Sequence, residues 1–532
     1  MRKYSVNVAR IFMVMTLTSF VLATSCRRDQ RDVTGPAKTT VRDTSNQTLY
    51  YHEEHRPQFH FSPKEKWMND PNGLVFHEGT YHLFYQYYPE DVVWGPMHWG
   101  HATSSNLLQW QHQPIALYPD KNGYIFSGSA VVDHGNTSGL GTDGNDPLVA
   151  IYTYHDPEGA KAGSLDHQSQ GIAFSNDKGR TWTKYENNPV LQNPGKRDFR
   201  DPKVFWHKMS KMWIMSLAVG DHAEFYSSPD LKNWELLSEF GKNAGAHGGV
   251  WECPDLIEMN VEGEEDKKWV LLISINPGGP NGGSATQYFV GDFDGKQFST
   301  NQRDVKWLDH GADNYAGVTF NNAPGRKHLF MGWMSNWNYG QEVPTEKWRS
   351  AMTLPRELHL KKDTNGYYVT SKVIPDFKEL TNLVSEQDSV LLDKTMSIAG
   401  DYEMAEVSWK QNISEGIDVK FINDMGEFVL LRLDPGQKQI VFDRMNSGKV
   451  DFNDSFAEKV HTLPYDPEDK FVDIRMILDR SSIELFIDDG RYVMTELFFP
   501  NRAFTQMQLD PADDILIKDL QIKTVENIWN NE

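Results

Sequence analysis

Three carboxylates in unusual local settings are the residues of this 532-residue chain best suited to chemistry. Asp70 lies in Trp67-Met-Asn-Asp70-Pro-Asn-Gly73, between Asn69 and two turn-formers, as an apolar strand from Leu74 begins. An Asp in that position ordinarily caps its own turn. Asp201 follows Arg200 and precedes Pro202 at a loop-to-strand entry, where a solvated ion pair is the ordinary reading. Glu252 stands between Trp251 and Cys253 ahead of Pro254 and the apolar Leu256-Ile257. Desolvation by such neighbours should raise its pKa, whereas Asp70, with hydrogen-bonding neighbours, should stay ionised. Cys253 has no His partner in its motif and reads as a buried structural thiol rather than a nucleophile. The methionines around Met331 and Met334 read as packing.

Short alternating runs broken by Gly, Asn and Asp dominate after residue 50, as in Thr80–Gln86, Lys268–Ser274 and Val472–Leu478. These are strand signals, and their number predicts an all-β protein. Ser105…Trp110, Ser175…Trp182 and Ser228…Trp234 each run from a Ser through a polar turn to a Trp, with a fainter copy at Gly291…Phe298. Recurrence every 50–70 residues or so suits one four-stranded blade per copy, its closing aromatic wedged between blades. The expected architecture is a five-bladed β-propeller over residues 51–355, a linker over 356–384 and a C-terminal β-sandwich over 385–532. Ser481–Gly490 followed by Tyr492 reads as a sandwich hairpin turning at Asp489-Gly490.

In a propeller the first strand of each unit lines the axis. Acidic residues opening the first strands of successive units would therefore converge on one funnel with aromatics suited to sugar faces. Paired carboxylates flanking a glycosidic bond are the working parts of most glycoside hydrolases. A calcium cage would need more oxygen ligands spaced closely in one loop.

The net charge of −21 excludes a polyphosphate partner, and two cysteines exclude a disulfide scaffold. Arg2, Lys3 and Arg10 precede an apolar run from Ile11 to Ala23, which predicts a signal peptide over 1–25. The run is too short for a spanning helix. Leu22-Ala-Thr-Ser-Cys26 resembles a bacterial lipoprotein signal, although Leu22 sits one place further from the Cys than that pattern asks. The resemblance implies lipidation of Cys26, export and membrane attachment through the lipid. Residues 26–50 are polar and aperiodic and read as a flexible tether.

The motifs together are specific. The stretch around Asp70, Phe126-Ser127-Gly128-Ser129, Arg200-Asp201-Pro202, Glu252-Cys253-Pro254, Gly332…Trp337 and Pro344…Glu357 occur in order, with Asp479…Phe486 in the C-terminal half. They make residues 55–530 resemble glycoside hydrolase family 32, the invertase, inulinase and levanase family. That resemblance implies a five-bladed propeller with a β-sandwich, acting on β-fructofuranosides without metal or cofactor. It implies Asp70 as nucleophile, Glu252 as general acid/base and Asp201 as the residue that bonds fructose hydroxyls and stabilises the transition state. It further implies retention of configuration, with the Asp70 and Glu252 carboxyl groups about 5–5.5 Å apart. Asn69, Gln86, Trp94, Phe126, Ser127, Arg200 and Trp337 match positions that enclose the fructosyl unit, and Asp313 and Tyr315 are expected to line the same funnel. The region from Trp337 to Pro344 looks more like inulinases and levanases than like invertases; exo-action on levan or inulin, with sucrose as a further substrate, is the expected mode, and endo-levanase action, which needs an open cleft, is the alternative. Two rivals are a sialidase, whose Asp-box turn Ser175…Trp182 resembles, and a surface protein that binds fructan without cleaving it. A sialidase would need a Tyr nucleophile and an Arg cluster, and a pure binder has no need of all three carboxylates.

Overall fold

The computed structural model describes residues 50–466 and 470–529. The expected leader, its Cys26 and the tether up to residue 49 lie outside the described residues. Among the described residues no helix is long and apolar enough to cross a membrane.

Five antiparallel sheets follow one another along the first part of the chain. Blade I holds Lys66–His77, Thr80–Tyr88, His98–Ser104 and Gln111–Leu117. Blade II holds Tyr124–Val132, Leu148–His155, Gln168–Ser175 and Thr183–Lys184. Blade III holds Phe199–His207, Met212–Val219, His222–Ser228 and Glu235–Phe240. Blade IV holds Val250–Asn260, Lys267–Asn276 and Ala285–Phe293, whose outer edge pairs with Phe298–Ser299 and Lys306–Trp307. Blade V holds Tyr315–Thr319, Leu329–Met334, Arg356–Asp363 and Gly366–Val373. The first strands pack I on II, II on III, III on IV, IV on V and V on I, so they form a closed ring around an axis. Trp348–Arg349 pairs in parallel with Lys66-Trp67 and ties the far end of the propeller back to blade I.

The repeated turn joins the third and fourth strands of blades I to IV. Its Ser Oγ accepts backbone N–H groups that the tight turn would otherwise leave bare: Leu107 N on Ser104 at 2.8 Å and Gly179 N on Ser175 at 2.9 Å. In blade I that serine is Ser104 rather than Ser105. The closing aromatics are the expected wedges. Trp182 meets Phe84 of blade I edge-on at 5.3 Å, and Trp234 packs into the apolar cluster shared by blades II and III.

Residues 356–384 are not a linker. Arg356–Asp363 and Gly366–Val373 are the outer strands of blade V, and a 3₁₀ turn at Pro375–Leu380 leads into Thr381–Leu392, an edge strand of the sandwich. The run Arg356-Glu-Leu-His-Leu-Lys-Lys-Asp363 looks polar because one face meets solvent, yet Leu358 and Leu360 alternate into the core. The sandwich itself stacks two six-stranded sheets over one apolar core that includes Val407, Trp409, Phe421 and Met476.

The two parts are joined by buried charges as well as by apolar contact. Arg356 bonds Glu484 Oε2 and reaches Asp309 Oδ2 at 3.0 Å. His60 lies between Asp479 at 2.8 Å and Glu484 at 2.9 Å, with all three side chains fully buried.

Candidate active site

The pairing of each inner strand with its neighbour carries a register irregularity. They fall at Met68/Pro71 and Asn72/Val75 in blade I, Ile125/Gly128 in blade II, Glu252/Asp255 in blade IV and Tyr315/Val318 in blade V. In blade III the break lies opposite Arg200–Lys203. A bulge inserts an extra residue and re-aims side chains. Here Asp201, Cys253 and Ala316 take positive φ values of 64°, 48° and 52° within those breaks. Asp70 therefore sits inside a twelve-residue strand from Lys66, not in a turn ahead of Leu74.

The bulges bring the three carboxylates together from blades I, III and IV, so blade II intervenes between the first two. Asp70 Oδ2 accepts the Ser127 hydroxyl at 2.6 Å and Oδ1 accepts the Asn69 amide at 3.0 Å. Asp201 Oδ2 accepts the Cys253 backbone N–H at 3.1 Å. The Cys253 thiol stands between the two, 3.7 Å from Asp70 Oδ2 and 3.9 Å from Asp201 Oδ2. Glu252 Oε1 accepts from Arg200 Nη2 at 2.9 Å and Nε at 3.2 Å, while its Oε2 accepts the Tyr315 hydroxyl. Arg200 Nη1 also donates to Asp198 at 2.6 Å.

Crowding of like charges sets the electrostatics. Burial and then the charge of Glu252 push the Asp70 carboxyl upward, against the pull of the Ser127 and Asn69 hydrogen bonds. This reverses the expectation for Asp70, because residues adjacent in sequence say nothing about a carboxylate brought in by another blade. Asp201 is pushed up to about 8, by burial first; Arg200 opposes this, and the Glu252 and Asp70 charges add to it. Burial would lower the Arg200 pKa, but Glu252, Asp201 and Asp198 together hold the guanidinium charged. Burial and the neighbouring carboxylates keep the Cys253 thiol protonated, which leaves it able to donate a weak S–H bond.

The immediate setting of Glu252 also differs from the apolar one its neighbours suggested. Trp251 lies fully buried in the core shared by blades III and IV, and the Glu252 carboxylate meets a cation and a phenol instead. Strand neighbours point to opposite faces, so i±1 residues do not make a side chain's surroundings.

The remaining expected site residues divide. Phe126 stacks on His155 with ring centres 4.2 Å apart, and Trp94 meets Phe126 edge-on at 6.0 Å. Trp337 packs at 6.0 Å from Trp67, whose indole N–H donates to Asn69 at 2.7 Å. Gln86 is buried and spans to blade II, donating to Ile125 O at 3.0 Å. Tyr315 joins the site through Glu252. Asp313 does not: it is fully buried against the sandwich, where Arg444 and the Tyr339 hydroxyl each donate to it at 2.7 Å. One residue, Asn314, separates Asp313 from Tyr315, and the chain turns from the sandwich junction to the axis between them. Asp198 and His155 were not foreseen, and no local motif marks them; Cys253, read as a buried structural thiol, is buried and stands between Asp70 and Asp201.

Beyond the carboxylates the axis is stitched with polar contacts. Asn321 donates to Ala130 O at 2.8 Å and Val204 O at 3.1 Å, and Lys203 donates to Asp255 at 3.0 Å and to Thr319 O.

Comparison with known proteins agrees with this fold. The family profile for the glycosyl hydrolases family 32 N-terminal domain matches residues 60–371, and that for the family 32 C-terminal domain matches residues 371–524. A levanase of Bacillus subtilis (strain 168) is 45% identical over 493 residues, covering 90% of this chain and 72% of the relative. An extracellular exo-inulinase of Aspergillus niger is 38% identical over 520 residues, covering 90% and 96%. The crystal structure of exo-inulinase from Aspergillus awamori superposes with a TM-score of 0.83 at 35% identity, covering 90% of this chain and all of that one. β-Fructofuranosidase from Schwanniomyces occidentalis, complexed with fructosyl-erythritol, gives 0.80 at 33% identity, covering 91% and 99%. The chain belongs to glycoside hydrolase family 32, with the family's propeller followed by its β-sandwich, and it is a glycoside hydrolase.

Proposed function

We propose that this enzyme is an exported, retaining β-fructosidase that removes terminal fructose from levan or inulin and also cleaves sucrose. The meeting of Asp70, Asp201 and Glu252 about one point, with Arg200 and Tyr315 holding Glu252, is the observation that carries the reading. Asp70 attacks the anomeric carbon of the fructosyl unit while Glu252 gives a proton to the departing oxygen. A covalent fructosyl-enzyme results. Water, deprotonated by Glu252, then releases fructose and frees Asp70. Asp201 bonds the ring hydroxyls and steadies the oxocarbenium-like transition state. Asn69 and Ser127 orient the nucleophile, and Trp94, Phe126 and Trp337 enclose the sugar, with Gln86 and Arg200 at its edge. Transfer to an acceptor sugar uses the same intermediate.

The levanase and exo-inulinase relatives support fructan as substrate. Exo-action is supported by the polar contacts that stitch the axis beyond the carboxylates, which suit a pocket that takes a chain end. Cys26 carries the lipid that anchors the enzyme, with the 26–50 segment as its tether. A product time course on levan and inulin tests the reading. Fructose alone supports exo-action, a ladder of oligosaccharides replaces it with endo-action, and binding without product overturns the hydrolase assignment.

A further inference from the structure

Two fully buried polar side chains of blade II have no part in the reaction as described, yet they bond the backbone on either side of Arg200. Thr153 and Gln170 face each other across neighbouring strands. The Asp201 N–H donates to Thr153 Oγ1 at 3.0 Å, and the Thr153 hydroxyl donates to Gln170 Oε1 at 2.7 Å. Gln170 Nε2 then donates to Phe199 O at 2.9 Å. The chain of donors has one sense only. Phe199 O can only accept, so the Gln170 amide must present its NH₂ there, which leaves Gln170 Oε1 to accept the Thr153 hydroxyl while Thr153 Oγ1 accepts the Asp201 N–H.

This chain closes around a strained segment. Asp201 holds φ at 64°, a region that costs a non-glycine residue free energy and persists only where surroundings enforce it. The same segment sends its two side chains to different partners: Arg200 to Glu252 and Asp201 to the Cys253 amide. We propose that Thr153 and Gln170 form a positioning clamp in blade II that fixes the Phe199–Asp201 bulge of blade III, so that Arg200 and Asp201 stand correctly for the reaction. The inference rests on the role given to Asp201 under the proposed function. Neither clamp residue is assigned contact with sugar; each acts through the backbone of the residues that do.

Replacing the hydroxyl by a methyl tests the clamp. Thr153→Val keeps the volume and leaves the Asp201 N–H without its acceptor, whereas Thr153→Ser keeps the hydroxyl. On levan, Thr153→Val is expected to lower kcat about 10- to 100-fold with KM changed less than about threefold, and Thr153→Ser to restore most of kcat. A role in packing alone would impair Thr153→Ser, which loses the methyl, more than Thr153→Val and would show in Tm, so impairment of Thr153→Ser equal to or greater than that of Thr153→Val overturns the clamp. Gln170→Met removes the tie to Phe199 O and is read in the same assay in case Thr153→Val is insoluble. Wild-type kcat in whichever of the two folds also overturns the proposal. Asp201→Asn is measured alongside. If it is inactive while the clamp variants are normal, only the clamp falls; if it is fully active, the role of Asp201 falls, and the clamp with it.

Discussion

Ser127 of blade II donates its hydroxyl to Asp70 Oδ2 of blade I at 2.6 Å, so a side chain from a neighbouring blade favours the ionised form of the carboxylate proposed as nucleophile. Burial and the charge of Glu252 push the Asp70 carboxyl up, and this bond opposes both. A hydrogen bond to a charged group is worth about 1.5–3 kcal/mol, or about one to two pH units.

Ser127→Ala should therefore move the acid limb of the kcat/KM profile to higher pH. The sign follows from the chemistry: the reaction needs ionised Asp70, and loss of a bond to the ionised form raises its pKa further. Initial rates between pH 3 and pH 8 check this. An acid limb that stays in place removes Ser127 from any role in setting the nucleophile's charge.

Asp70→Asn should abolish the covalent fructosyl intermediate while leaving the fold intact. Rapid-quench mass spectrometry of enzyme mixed with sucrose reads the adduct directly. An adduct retained on another residue would transfer the nucleophile's role to it.

Glu252→Ala should lower kcat by several orders of magnitude with substrate binding largely preserved, since Glu252 supplies a proton rather than affinity. Calorimetric binding of a fructo-oligosaccharide and single-turnover rates separate the two quantities. Tyr315→Phe, which removes the donor to Oε2, should give a smaller loss than Glu252→Ala. Near-normal turnover by Glu252→Ala refutes the assignment.

The junction between propeller and sandwich should depend on pH through His60. Burial would lower its pKa, but hydrogen bonds to Asp479 and Glu484 raise it to about 9 from 6.5. The stability this confers is fully present below pH 6.5 and is lost as pH rises through 9, about 3 kcal/mol across that window. Burial would raise Glu484, but Arg356 and His60 lower it to about 2, so its contribution is present above pH 4.5 and is lost as pH falls through 2. The two shifts describe one network and do not add. Thermal melts from pH 5 to pH 10 should show wild-type stability falling toward pH 9 relative to His60→Gln. Parallel curves for the two proteins would exclude His60 as the source.

Much of this was legible because it is local. The Ser-to-Trp turns announce themselves by residue type, since a Ser oxygen satisfying turn amides and an indole closing the hairpin are short-range devices. The same holds for the carboxylates, which stand in motifs readable from a few neighbours. The blade V strands at Arg356–Val373 were not legible, because the charges of their solvent face mask the alternation of Leu358 and Leu360.

What the sequence by itself determined is the kind of protein: a propeller and sandwich of family 32 bearing Asp70, Asp201 and Glu252. Tertiary structure decided where those groups point and what surrounds them. It turned Asp313 to Arg444 in the sandwich, gave Glu252 to Arg200 and Tyr315 rather than to Trp251, and set Ser127 on Asp70. The physical reason is the bulge. A single residue at positive φ re-aims a side chain by an amount that local propensity does not specify, and its partners arrive from other blades.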